Sequence, residues 1–293
     1  MTSRWRREAF AGYAFAGVGL VWFWLWAVYP LGKSLVMSFT NWRIMGESQF
    51  VGFANYLRDF SDPAILISLR NTLVYALISV PGQMFFALLV AVMLDQRIRG
   101  RVLFRLIYYL PVISSWVVVS LIFMYLFHSE GLVNYVFADV LHLLPYHIPW
   151  LAQAGTALIT VSILGIWKGI GWSMLIYLAA LQGVPREIEE AALIDGAGWW
   201  QLVWRVKLPL VRPTTMFILV MLTIGAFQAF IQFYILTNVL AMNEGQVFLS
   251  YMYRQAFNFF DFGYAAAISF LLAALILVIS FFQIRYFRGG TLY

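Results

Sequence analysis

The sequence predicts an all-α membrane protein with six transmembrane helices, and three observations carry that prediction. Only 11% of the 293 residues are charged and 63% are hydrophobic. A soluble domain carries about 25% charged residues, so this chain cannot clothe a water-facing surface of its size and lipid is its solvent. Six apolar stretches are long enough to cross a bilayer, which takes about 20 helical residues. Finally, Lys and Arg alternate between the segments joining those stretches. Backbone in lipid must satisfy its own hydrogen bonds, so the spans are expected as helices.

In chain order the stretches are Tyr13–Phe39, Thr72–Leu94, Leu106–Phe127, Leu158–Leu181, Thr214–Thr237 and Tyr264–Tyr286. The first follows MTSRWRR, an opening that would suit a signal peptide. Its apolar run exceeds the roughly 7–15 residues of a signal core, and the small-residue AFA precedes that run instead of following it. A retained first span, kinked at Pro30, is expected. On one side lie Arg4, Arg6 and Arg7; Arg97, Arg99, Arg101 and Arg105; Arg186, Arg205, Lys207 and Arg212; and Arg285 and Arg288. The other side holds only Lys33, Arg43, Arg58, Arg70 and Arg254. The positive-inside rule then places both termini and the segment 184–213 in the cytoplasm. The net charge of +6 reads as topology, not as a nucleic-acid signal. The chain has no cysteine, which excludes disulfides, thiolate catalysis and Cys-based metal sites.

Ala27–Ser34 reads AVYPLGKS, a loose match to a nucleotide-binding loop. A phosphate loop needs a Gly-rich turn between a strand and a helix, whose N–H groups cradle the phosphates. Here Pro30 sits in the middle, no strand precedes, and the charge pattern places the stretch away from cytoplasmic nucleotide. A helix kink with a snorkelling Lys33 explains it better.

The segment Val184–Thr214 reads VPREIEEAALIDGAGWWQLVWRVKLPLVRPT. Pro185 can open a helix through Ile194, and Gly196 and Gly198 can end it in a turn of positive φ. A second short amphipathic helix, Trp199 to Lys207, leads to Pro209, with Trp199, Trp200 and Trp204 at headgroup level. Ala191 and Ala192 leave a smooth patch that a partner groove can approach. An ordinary interfacial loop is the plainer alternative.

Glu190-Ala191-Ala192, then Gly196, then Val206, Lys207, Leu208 and Pro209 at fixed spacing resemble the EAA loop of binding-protein-dependent ABC importer permeases. The family's usual Ile is Val206 here. FVGFANY, RGRVLFRLIYYLP, IWKGIGWSMLIYLAALQGVP and SYMYRQAFNFFDFGYAAAIS are similar to its sugar-transport branch, of the maltose/glycerol-phosphate permease type. The resemblance implies a type I ABC importer permease fold, a single transmembrane permease domain over 1–293, and a cytoplasmic coupling loop at 184–213. It implies a transport subunit of the prokaryotic cell membrane, not an enzyme. Mg-ATP would be hydrolysed on two separate ATPase subunits, and this chain would carry no cofactor. ATPase docking would fall to Glu190, Ala191, Ala192, Asp195, Gly196, Leu208 and Pro209. A second permease subunit, an extracytoplasmic substrate-binding protein and a sugar substrate complete the implied partners, the binding protein meeting outer loops at about 40–71 and 128–157.

No Asp or Glu lies well inside a span; Lys168 is the one ionisable group there. Intramembrane ionisable groups are functional candidates by default, although snorkelling or pairing with a partner subunit would also account for Lys168. Gly165 and Gly169 form a small-xxx-small pair suited to close helix packing, or else widen the helix toward a cavity. By resemblance, Trp116, Gly165, Lys168, Gly169 and Trp172 would face the solute, as would Leu222, Ala226, Ala229 and Ile231 on the fifth span. Relatives often carry polar residues at those fifth-span positions, so Gln228 and Gln232, four apart on one helical face, would supply the polar contacts or bridge to the partner permease. The outer run LTNVLAMNEG replaces a glycine-rich run of relatives. His142 and His147 are five apart across a Pro, a poor metal spacing, and no Ser-His-Asp set can be assembled. A secondary carrier would show inverted repeats and intramembrane ionisable groups. The function expected is import of a carbohydrate, a disaccharide or oligosaccharide, with glycerol phosphates or another polar solute as the alternative.

Overall fold

The computed structural model describes residues 3–43, 48–96, 98–237 and 244–288. Arg97 and most of the run after Thr237, residues 238–243, lie outside them. The chain divides into two compact units, residues 1–62 with 252–271, and residues 63–251 with 272–293.

In the first unit, α1 (Ser3–Phe23) runs through a π-helical turn, Trp24–Val28, into α2 (Tyr29–Ser38). Pro30 has no N–H to donate, and the wide turn ends two residues before it, within one continuous candidate span, Gly12–Ser38. The helix α3 (Ala54–Ser61) is tied to α2 by Asn55, whose Nδ2 donates to the Ser38 and Thr40 carbonyls at 2.8 and 2.9 Å. Arg58 pairs with Asp261 at 2.9 Å and lies over the Tyr264 ring, while the Tyr264 hydroxyl donates to Asp62 at 2.9 Å.

In the second unit, the axis is α4 (Pro63–Asp95), followed by α5 (Arg101–Ile113), α6 (Trp116–Leu126) and α7 (Ala154–Gln182). Then come α8 (Arg186–Ile194), α9 (Trp199–Leu210), α10 (Arg212–Phe227) and α11 (Ile231–Leu236). The chain continues through α12 (Phe248–Phe257) to α13 (Phe262–Arg288). Four helices among the described residues are long and apolar enough to span, and six if each bent pair forms one span.

The third and fifth stretches are broken helices, a departure from the continuous spans the sequence suggests. Between α5 and α6 the axis turns by 95°, because Pro111 and the extended Ser114 and Ser115 end the helix. Between α10 and α11 the helical dihedrals lapse at Phe230.

The core of this unit joins Ala87, Ala91, Met174, Tyr177 and Leu181 of α4 and α7 with Val203, Val211 and Ile218. The α4–α7 contact also carries polar groups. Asn71, Tyr75, Ser79 and Gln83 recur every fourth residue and are all buried, which places them on one helical face. Gln83 Nε2 donates to the Gly169 carbonyl and to Ser173 Oγ, both at 2.8 Å. Asn71 Nδ2 holds the carbonyls of Glu244 and Gln246 at 2.7 and 2.9 Å, anchoring the end of the outer run on α4.

Candidate functional site

Two places in the second unit concentrate the residues singled out from the sequence. The first is a cavity of about 250 Å³. Trp116, Gly165, Lys168, Gly169, Trp172, Leu222, Ala226 and Gln232 line it. They are joined by Tyr75, Ser79 and Gln83, which sequence reasoning missed although their four-residue spacing in an apolar helix was a usable signal.

Gln228, Ala229 and Ile231 do not line this cavity. The break before Ile231 separates Gln228, which is exposed, from Gln232, which is 5% exposed. The two glutamines therefore do not share one helical face.

Lys168 is 3% exposed. Its Nζ donates to the carbonyls of Pro111, Val112 and Ser114 at 2.7, 3.2 and 2.7 Å. These are the carbonyls freed where α5 ends, and a cation at a helix C-terminus also meets the negative end of the helix dipole. The Trp116 ring centroid is 4.8 Å from Nζ. Gly165 and Gly169 make room for side chains of α4: a Cβ on Gly165 would stand 2.5 Å from the Tyr75 hydroxyl, and one on Gly169 would overlap the Gln83 amide.

The second place is the segment 184–213. Pro185 caps α8, which buries none of its residues. Glu190, Ala191, Asp195, Gly196 and Pro209 are exposed, and Ala192 and Leu208 half-buried. Ile194 is 86% exposed. Gly196 adopts φ +80°, the left-handed conformation a helix-ending glycine supplies. Gly198 instead has φ −70° and begins α9. That helix is anchored through buried Leu202, Val203 and Lys207.

Lys207 was part of the sequence match, but its role was not legible there. Its Nζ is 2.7 Å from Asp95 at the end of α4 and 2.8 Å from Glu189 on α8. Burial opposes its charge, but the hydrogen bonds to Asp95 and Glu189 outweigh that and raise its pKa.

Residues 83–288 match the family described as binding-protein-dependent transport system inner membrane component. The chain belongs to this family. It is 33% identical over 279 residues to the probable ABC transporter permease protein YesP of Bacillus subtilis, covering 92% of this chain and 88% of that one. It is 32% identical to the lactose transport system permease protein LacF of Rhizobium radiobacter, covering 93% and 92%. Among solved structures, a chain of a bacterial ABC transporter involved in import of the acidic polysaccharide alginate superposes with TM-score 0.86 at 24% identity, covering 99% and 100%. That likeness establishes the fold, the importer permease fold anticipated from the sequence. The chain is thus an inner membrane component of a binding-protein-dependent transport system.

Proposed function

We propose that this permease imports a carbohydrate, with the polar cavity as part of the path and α8 as the element that docks on a separate ATPase. The observation that carries the docking role is the contrast within 184–213. The helix α8 buries nothing and presents Ile194 outward, while α9 is fixed into the core. An exposed apolar face beside carboxylates on a firmly rooted stalk suits a partner groove with basic groups. The carbohydrate assignment is supported by the similarity to a lactose system permease over nearly the whole chain.

In this mechanism two ATPase subunits hydrolyse Mg-ATP and draw together the coupling loops of this chain and a second permease. A binding protein delivers the solute on the outer side, and both termini of this chain face the cytoplasm. Glu190 offers a carboxylate to the ATPase, and Gly196 sets the bend. Differential contacts in the outward- and inward-open states drive the exchange.

Gly196→Asp tests this. A side chain there meets nothing within 4 Å, and a non-glycine residue at positive φ costs about 1–2 kcal/mol. The variant is expected to reach the membrane at normal levels and to lose uptake. Uptake at the wild-type rate would refute the docking role of α8.

A further inference from the structure

Building on the carbohydrate reading, we infer that the cavity accepts uncharged hydroxylated solutes and rejects anionic ones, because its single ammonium is already consumed by the broken third span. A lysine has three N–H donors. All three of Lys168 end on backbone carbonyls, those of Pro111, Val112 and Ser114. The Trp116 ring covers a further side. Lys168 is therefore a positioning residue that holds the break between α5 and α6 and the ring beside it.

A carboxylate or phosphate entering the cavity could bind Nζ only by displacing a carbonyl, which would be left buried and unpaired. Such orphaned groups are costly, and so is desolvating an anion without a partner. Among the described residues, no other one lining the cavity carries a charge. What remains is suited to hydroxyl groups: the Tyr75 hydroxyl and the Gln232 amide, joined by one long bond from Nε2 at 3.5 Å that leaves the tyrosine O–H and the amide oxygen to offer, and Ser79 beside them, with Trp116 and Trp172 as apolar platforms.

The same geometry separates this chain from a carrier of uronates or glycerol phosphates, whatever the cargo of structures that share its fold.

The native chain has no cysteine, so Ala226→Cys puts a single thiol of this chain in the cavity. The assembled transporter carrying it, its other subunits made cysteine-free, is treated with a neutral hydroxyethyl and an anionic sulfonatoethyl methanethiosulfonate reagent. The ratio of anionic to neutral rates is compared with that of a small free thiol in water. The three carbonyl dipoles aimed at Nζ offset most of its field on the cavity side, so a consumed ammonium predicts a ratio close to the free thiol's. A free one would raise it about tenfold or more and overturn the inference, more firmly if Lys168→Met removed the acceleration.

Protection is measured in the same preparation. Lactose or maltotriose is expected to slow labelling, and digalacturonate or glycerol 3-phosphate at equal concentration is not. Protection by the anions would overturn the inference even with saccharide protection intact. If no saccharide protects while the reagent ratio stays low, the carbohydrate assignment fails and the charge assignment survives.

Discussion

Replacing Lys207 by Met should uncouple ATP hydrolysis from transport. Lys207 holds two carboxylates at once, Asp95 at 2.7 Å and Glu189 at 2.8 Å. The side chains of both are largely covered, 14% and 26% exposed. Without the ammonium, two negative groups within about 6 Å of each other repel by roughly 3 kcal/mol at the effective dielectric of a protein surface. The cheapest relief is to let α8 swing away from α4, since α8 has no buried residue to resist. The stalk α9 stays rooted through Leu202 and Val203. The variant should therefore still assemble, but with a slack joint between α8 and α4.

Solute transported per ATP, measured in proteoliposomes, should fall at least several-fold while ATPase activity persists. Adding Glu189→Gln to Lys207→Met should recover part of the loss, because it removes one partner of the repulsion. A coupling energy above about 0.5 kcal/mol in the double-mutant cycle with Asp95→Asn, read from thermal or denaturant unfolding, would mark the groups as interacting. An unchanged transport-to-ATP ratio together with additive mutants would refute the role of this clasp.

Three further substitutions probe the same structure. Gly165→Ala places a Cβ 2.5 Å from the Tyr75 hydroxyl, and overpacking of this kind costs about 1–3 kcal/mol. Gly225→Ala, also at the cavity, meets nothing within 4 Å and should be tolerated; equal melting temperatures for the two variants would count against the close α4–α7 fit. Asp59 is 1% exposed with neither carboxylate oxygen hydrogen-bonded. Burial first, and then the charge of Asp62, raise its pKa from 3.8 to about 7, against the nearby Tyr264 hydroxyl, whose own hydrogen bond goes to Asp62, and the charge of Arg58. A carboxyl whose folded pKa is raised favours the fold fully below pH 3.8, and that contribution is lost as pH rises through about 7. Asp59→Asn should thus stabilise the protein at pH 8 and have little effect near pH 4; a pH-independent difference in melting temperature would contradict this.

The spans and the helix–turn–helix of 184–213 were legible because their signals are local. Apolar length, the Arg clusters and the Glu190-to-Pro209 spacing sit in the sequence without reference to distant residues. Gly196 falls where a helix-ending turn was expected, whereas Gly198 takes an ordinary φ and starts the next helix. The break at Ser114 and Ser115 was only hinted at by Pro111. What completes it is an ammonium 54 residues further along the chain from Ser114, which no local pattern displays. The break before Ile231 has no Pro or Gly to announce it; α11 packs on α6, so tertiary contacts override the helical preference. Likewise the ion pair of Lys207 with Asp95 spans 112 residues. The polar stripe Asn71, Tyr75, Ser79 and Gln83 was readable, yet an apolar stretch long enough to span draws attention to its lipid-facing residues first.

The most direct test of the transport assignment is purification of the tagged chain from its native membranes in mild detergent, followed by an assay of Mg-ATP hydrolysis. Co-purification of an ATPase subunit, with hydrolysis lost from the preparation when Glu190 and Gly196 are replaced, is the predicted result. A chain that emerges without any ATPase in several detergents, while still supporting uptake driven by an ion gradient, would contradict it.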